Sequence, residues 1–201
     1  RSQNLGLRFA IAAALVAAPV ASHAASTNTQ GLEEIVVTAQ KREQKLSDTP
    51  LSITALSAAD LDRAAATQFR DFATTVPGLS YTSTGAGATQ VNLRGVTTGS
   101  NVSPTVGIYV DDVPYGSSTA FAGGSGLALD VGLFDVQRIE ILRGPQGTLY
   151  GASTMGGLLK YVPQRPDTNE FSGTVDAGLS STEHGGMNYD VASAVNVPLS
   201  E

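Results

Sequence analysis

The stretch IEILRGPQGTLYGASTMGGLLKYV, residues 139–162, decides how the rest of the chain is read. Ile139 and Ile141 alternate with Glu140 and predict a strand. That strand ends at Gly144-Pro145, because proline lacks an N–H and glycine has no steric preference for the extended state. A second apolar run, Leu158 to Val162, predicts another strand. Between them Gly144, Gly147, Gly151, Gly156 and Gly157 predict a loop able to turn sharply and lie close against another surface.

A glycine-rich loop after a strand raises phosphate binding first. That chemistry needs G-x-x-x-x-G-K-[ST], and here Gly157 and Leu158 stand where the lysine and the hydroxyl would be. The dinucleotide fingerprint fails too, since Gly85-Ala86-Gly87 is followed by Gln90 where its third glycine belongs. Arg143-Gly144-Pro145-Gln146-Gly147-Thr148-Leu149-Tyr150-Gly151, preceded by Arg138 to Leu142 and followed by Gly156-Gly157, instead resembles the signature of the plug domain of TonB-dependent outer-membrane receptors.

The chain has 201 residues, no cysteine and a formal charge of −6, which suits one domain with appendages and disfavours nucleic acid as a partner. Without cysteine there is no disulfide framework and no thiolate metal site. Arg1 and Arg8 precede Phe9 to Val20, an uncharged run of twelve residues. A bilayer span needs about 20. A short apolar core behind basic residues, closed by Ser22-His23-Ala24, is the pattern of a secretory signal peptide cleaved after Ala24; a buried helix is the plainer alternative. Removing residues 1–24 takes away two arginines and no acid, so the charge falls from −6 to −8.

Residues 25–45 are expected to be a flexible N-terminus. Within it Glu33 to Ala39 carries the β-branched run Ile35-Val36-Val37-Thr38, which by itself reads as an ordinary strand. Tethered flexibly, the same run is free to add to another protein's sheet edge. It is similar to the TonB box, and the resemblance assigns Glu34, Ile35, Val36, Val37 and Thr38 to binding the energy-transducing TonB complex.

Residues 46–165 are expected to be the plug. Asp48 to Leu56 alternates and predicts a strand. Ser57 and Asp60 predict a capping box on a helix to Ala66, and Thr67 a cap for a second helix burying Phe69, Phe72 and Ala73 before Val76-Pro77-Gly78. Leu79 to Thr89 reads as a loop and Val91 to Val96 as a strand with Arg94 in its middle. Val106 to Pro114 reads as a further strand. Asp111 and Asp112 within it favour a turn over a metal or catalytic pair, since adjacent strand residues face opposite ways. Beyond Pro163 and Pro166, residues 166–201 hold two alternating runs, Phe171 to Leu179 and Tyr189 to Val197, each about the 9–11 residues of a tilted membrane strand. Two strands close no barrel, so the chain is expected to stop after a first, incomplete barrel hairpin.

The fold class expected is α+β: a small mixed plug with a central sheet, short helices and long glycine-rich loops, followed by the first strands of a truncated barrel. Enzyme templates fail, with His184 the sole imidazole after the signal segment and Gly151 to Met155 lacking the closing glycine of a nucleophile elbow. No catalytic residue, metal ligand or cofactor is assigned. The resemblance implies an active transporter in the Gram-negative outer membrane: a plug inside a barrel of about 22 strands, in contact with lipid, with the TonB box in the periplasm. Its cargo in the family is mainly ferric siderophores, with haem, cobalamin and carbohydrates besides. The alternative is a soluble periplasmic binding or interaction module. Arg94 and Arg143 read as surface arginines by base rate. The resemblance makes them, with Glu140 as a local partner for Arg143, contacts between plug and barrel. It also turns the loops carrying Thr97, Asn101, Tyr115 and Phe121 towards the substrate. The signal reading is checked by N-terminal sequencing of outer-membrane material. The mature chain is expected to begin at Ala25, and one retaining Phe9 would return the apolar run to the fold.

Overall fold

Seven residues from Gly157 to Pro163 form a strand of which all but the last are buried, a pattern that requires cover on both faces of a sheet. The structure, a computed structural model, describes residues 35–83, 89–99, 102–116, 131–181 and 186–198. In chain order its elements begin with Val36–Val37 (β1), Gln44–Lys45 (β2) and Ile53–Ser57 (β3), then the helices Ala58–Arg63 (α1) and Phe69–Ala73 (α2). Leu79–Ser83 (β4), Thr89–Leu93 (β5), Val106–Val110 (β6) and Val113–Pro114 (β7) follow. Val136–Arg143 (β8), the helical turn Gly147–Tyr150 (α3), Gly157–Pro163 (β9), Ser172–Ser181 (β10) and Met187–Asn196 (β11) complete them.

The central sheet has the order β3-β8-β9-β6-β7. Only β6 and β9 run parallel; the other pairs are antiparallel. The two strands read from residues 139–162 are therefore neighbours at its centre. Alternation sends Ile139, Ile141, Leu159 and Tyr161 to one face, where they pack with Leu61, Phe69, Phe72, Val76 and Leu93. Leu142 and Leu158 point to the other face, against Val37, Ala39, Tyr109 and Tyr150.

Local chemistry accounts for the helices. Ser57 Oγ accepts from the Asp60 N–H at 3.2 Å while the Asp60 carboxylate accepts from the Ser57 N–H at 3.0 Å, the reciprocal box expected. The Ser57 hydroxyl holds the Asp60 carboxyl below its ordinary range. This small contribution is present above the ordinary carboxylate pKa and is lost as pH falls through the lowered value. α1 ends at Arg63, short of Ala66. Gln68, not Thr67, takes the N-cap position of α2; both residues donate their N–H to the Asp71 carboxylate. Phe69, Phe72 and Ala73 are buried as expected, with the two rings edge to face at 5.4 Å.

Four other expectations change. The strand expected from Asp48 begins at Ile53, because Leu46–Asp48 is a turn of 3-10 helix. Residues 79–89, expected as a loop, begin with a strand paired in register to β5. Ser80 and Thr82 alternate with Leu79 and Tyr81, and the Tyr81 ring meets Phe69 edge-on at 5.5 Å. Arg94 does not lie within a strand: with φ +54° at Arg94 and +71° at Gly95 the chain turns, and the Val96 N–H returns to the Leu93 carbonyl at 3.0 Å. The loop after β8 contains α3. The Asp111-Asp112 turn is as expected, with Asp111 at φ +51°.

β10 and β11 pair antiparallel over ten residues each. Leu179 faces Tyr189, Ala177 faces Val191 and Val175 faces Ser193, and the large side chains among them are exposed by about seven to eight tenths. The opposite face carries Thr174, Asp176 and Asp190.

Gly157 stands where β9 meets β8, at φ +145°, and a Cβ there would lie 2.1 Å from the Leu142 carbonyl oxygen. Gly147, at the start of α3, has open space around it. Gly157→Ala is expected to cost on the order of 3 kcal/mol or more. Gly147→Ala should change stability by less than about 1 kcal/mol. Unfolding midpoints of the two variants in the intact receptor check the contrast.

Candidate functional site

The sheet face opposite the helices carries buried charge. Glu140 is 0% exposed and Lys160 2%, and the register of β8 with β9 sets them directly opposite one another. Burying charge is costly unless each group is paired and hydrogen-bonded. Glu140 Oε1 accepts from Arg138 Nε at 2.8 Å, from the Thr38 N–H at 2.8 Å and from Thr38 Oγ1 at 3.2 Å. Lys160 Nζ donates to Asp112 Oδ1 at 3.1 Å and to the Thr38 carbonyl at 3.4 Å. The two peptide groups of Thr38 are thus held by opposite charges on adjacent strands.

Further contacts fasten the same segment. Tyr150 donates its hydroxyl to the Ala39 carbonyl at 2.9 Å, and Tyr109 donates to the Tyr150 carbonyl. Burial, with the nearby Asp112 and Glu140 carboxylates, pushes the Tyr150 phenol well above its ordinary pKa, so it remains a donor. Lys41 Nζ lies 5.4 Å from the centre of that ring. Val37 and Ala39 are each 1% exposed.

Residues 35–45 are therefore docked on the sheet, which corrects the expectation that they form a flexible tether. β1 pairs with β2 in a short antiparallel ladder. The Leu46 N–H donates to the Ile35 carbonyl at 2.9 Å, so the bonded pairs are 35/46 and 37/44, and the main-chain groups of Val36 turn away from β2. Val36 is 41% exposed. Glu34 lies outside the described residues.

The arginine pair occupies the end of the sheet where β8 finishes. Arg143 donates Nη2 to Thr54 Oγ1 at 3.0 Å and Nη1 to the Pro77 carbonyl at 3.3 Å; its Nε is buried with no partner among the described residues. Arg94 is exposed on its turn, and a Cβ at Gly144 would come within 3.3 Å of its Nη1. The Arg143 guanidinium thus meets Pro77, while Arg94 lies beside Gly78 through its backbone and Cγ and beside Gly144 through Nη1. Glu140 is not a partner for Arg143: three residues apart on one strand they face opposite ways, and Glu140 is bound to Arg138 beneath the docked segment. That burial also takes Glu140 away from any contact with a surrounding wall.

Of the four residues assigned to substrate-facing loops, Thr97 and Tyr115 are described. Thr97 follows β5, where its Oγ1 accepts from Gln90 Nε2 at 3.4 Å. Tyr115 follows β7 and donates its N–H to the Ile108 carbonyl at 2.8 Å. Asn101 and Phe121 lie outside the described residues. Sequence reasoning missed Arg138, Lys160, Asp112 as an ion-pair partner, and the Tyr109-Tyr150 pair. One signal was available: a single lysine inside LLKYV and a single glutamate inside IEI, on two predicted apolar strands, each implying a buried charge in need of an opposite.

A small mixed sheet, covered by short helices on one face and by its own N-terminal segment on the other, followed by a hairpin with one bare apolar face, is the architecture of a barrel plug. The chain belongs to the TonB-dependent receptor plug domain family, which it matches over residues 45–158. It is 36% identical over 162 residues to the pesticin receptor of Yersinia pestis, covering 79% of this chain and 23% of that receptor. It is 28% identical over 191 residues to the vitamin B12 transporter BtuB of Vibrio vulnificus, covering 94% of this chain and 29% of that protein. The crystal structure of the ferric yersiniabactin uptake receptor FyuA from Yersinia pestis superposes with a TM-score of 0.54 at 35% identity, over 67% of this chain and 20% of that one. The chain thus spans about a quarter of the length of these curated relatives. Members of the family are outer-membrane receptors with the plug inside the barrel, not enzymes.

Proposed function

We propose that this chain is the N-terminal part of an outer-membrane receptor that actively takes up a scarce solute, with energy supplied through TonB. The observation that carries this reading is the succession of a plug-family sheet by an amphipathic hairpin whose apolar face fits lipid and whose strands are long enough to cross it. A soluble module has no use for Val175, Leu179, Tyr189 and Val191 lined up bare on one face. A ferric siderophore is the proposed cargo, supported by the 35% identity to a receptor described as taking up ferric yersiniabactin. Thr97 and Tyr115 are proposed to face it. Deleting the gene is expected to abolish growth on the matching ferric siderophore as sole iron source. Unimpaired growth on every siderophore tested, with a defect on a sugar or on vitamin B12, would reassign the cargo.

Ile35 to Thr38 is proposed as the segment that pairs with TonB, with Glu34 as its lead-in. The outward main-chain groups of Val36 support this, because strand addition is carried by main-chain hydrogen bonds. Val36→Pro removes that outward N–H and none of the ladder bonds to β2. It is expected to abolish uptake while substrate binding stays at the parental level, measured in whole cells. Uptake at the parental rate would reduce the segment to a plug strand.

Arg94 and Arg143 are proposed to meet acidic groups on the inner wall of the barrel. The buried Nε of Arg143, unpartnered among the described residues, supports this. Breaking a buried pair from one side costs on the order of 3–5 kcal/mol. Arg143→Gln in the intact receptor is therefore expected to admit large antibiotics and slow transport, with a smaller or equal effect at Arg94. Antibiotic susceptibility and uptake rates at parental values for both variants would make them surface residues.

A further inference from the structure

We propose that Glu140 and Lys160 form a latch on the main chain of Thr38, and that Lys160 is the positioning residue that ties this latch to the Asp111-Asp112 turn. The proposal rests on the reading of residues 34–38 as the partner-pairing segment and names what controls its release.

Thr38 is gripped through its peptide groups: the carboxylate takes the N–H and the ammonium donates to the carbonyl. The same carbonyl also accepts from the Lys41 N–H at 2.9 Å, closing a turn directly after Thr38. The grip is unequally divided, since Lys160 lies nearer to Asp112, at 3.1 Å, than to the Thr38 carbonyl, at 3.4 Å. Asp112 is 59% exposed at its side chain, on a turn whose Asp111 N–H is bonded to the carbonyl of Tyr161, the residue after Lys160. The remaining oxygen of Glu140, Oε2, is buried and has no partner among the described residues. It belongs to the residue directly across the ladder from Lys160 and is a spare acceptor. While Asp112 holds the ammonium, Lys160 serves Thr38. When the turn withdraws Asp112, Lys160 turns to Oε2, its charge stays paired, and the Thr38 carbonyl is let go. Release therefore strands no buried charge, and a shift of the turn between β6 and β7 reaches a segment some seventy residues earlier in the sequence.

The test is the rate at which a bulky thiol reagent labels Val37→Cys in the intact receptor, read on the peptide ending at Lys41. This chain has no native cysteine, and Val37 is 1% exposed, so labelling reports lifting of the segment. Lys160→Met is expected to raise the rate roughly tenfold or more, the equivalent of one hydrogen bond to a charged group. Asp112→Asn, on an exposed side chain, should raise it roughly threefold or more. Glu43→Gln, which breaks only the exposed pair with Arg165, should leave it unchanged. A second reporter, Leu61→Cys, buried in the opposite cluster, should label at its parental rate in every variant. Labelling of Val37→Cys at the parental rate in both the Lys160 and Asp112 variants overturns the latch. So does an equal acceleration at Leu61→Cys, which means general loosening. Uptake is measured in parallel: accelerated labelling in a receptor that transports nothing overturns the transport reading and leaves the latch standing.

Discussion

The pairing of β8 with β9 is the constraint on which the rest of the structure depends. It runs from Val136 opposite Pro163 to Arg143 opposite Gly157, and it closes because Gly157 lets the β9 backbone come against the Leu142 carbonyl. Side-chain alternation along these two strands then builds two unlike faces. One is aliphatic and aromatic at its centre, with Ile139, Ile141, Leu159 and Tyr161, and is sealed by α1, α2 and the β4-β5 pair. The other carries Arg138, Glu140 and Lys160 among Leu142, Leu158 and Val162, and has no helix long enough to seal it.

That difference sets how firmly each face is covered. The first cluster draws on helices, two sheets and several aromatic contacts. The second is closed by a few residues: Val37 contributes about 2 kcal/mol of burial and each bond to a buried charge about 1.5–3 kcal/mol. A cover of this kind opens before the sheet does, since local stability follows buried contacts. The buried charges are costly to desolvate, and an apolar pair of the same size would often be as stable or more so. What they supply is geometry: opposite charges spaced to meet the N–H and the carbonyl of one residue. Tyr150 and Tyr109 extend the same pattern by bonding to main-chain carbonyls.

At the end of the sheet where β8 finishes, the arrangement is reversed. Arg94 and Arg143 both lie there, and among the described residues no carboxylate pairs with either. The left-handed Arg94 and the glycines at 78, 95 and 144 allow the backbone to fold tightly around them. The two ends and the two faces thus divide the polar chemistry: a charge cluster paired under the N-terminal segment, and two arginines with no carboxylate partner among the described residues.

The sequence by itself determined the elements whose signals are local. The β8 and β9 strands, the Ser57-Asp60 box, the buried face of α2, the Asp111-Asp112 turn and the amphipathic hairpin all follow from nearest-neighbour chemistry and simple periodicity, and the Arg143 to Gly157 motif carried the family. Elements that depend on a partner were not legible. Residues 79–83 look like a polar loop until β5 pairs with them, and Arg94 looks like a strand residue until Gly78 and Gly95 turn the chain. The site divides in the same way. Ile35 to Thr38 stood out as a strand-prone segment, but its docking did not, because nothing near Thr38 in the chain announces an acceptor 102 residues away or a donor 122 residues away. Only the register of β8 on β9 brings Glu140 and Lys160 side by side, and only the tertiary fold lays Thr38 across them.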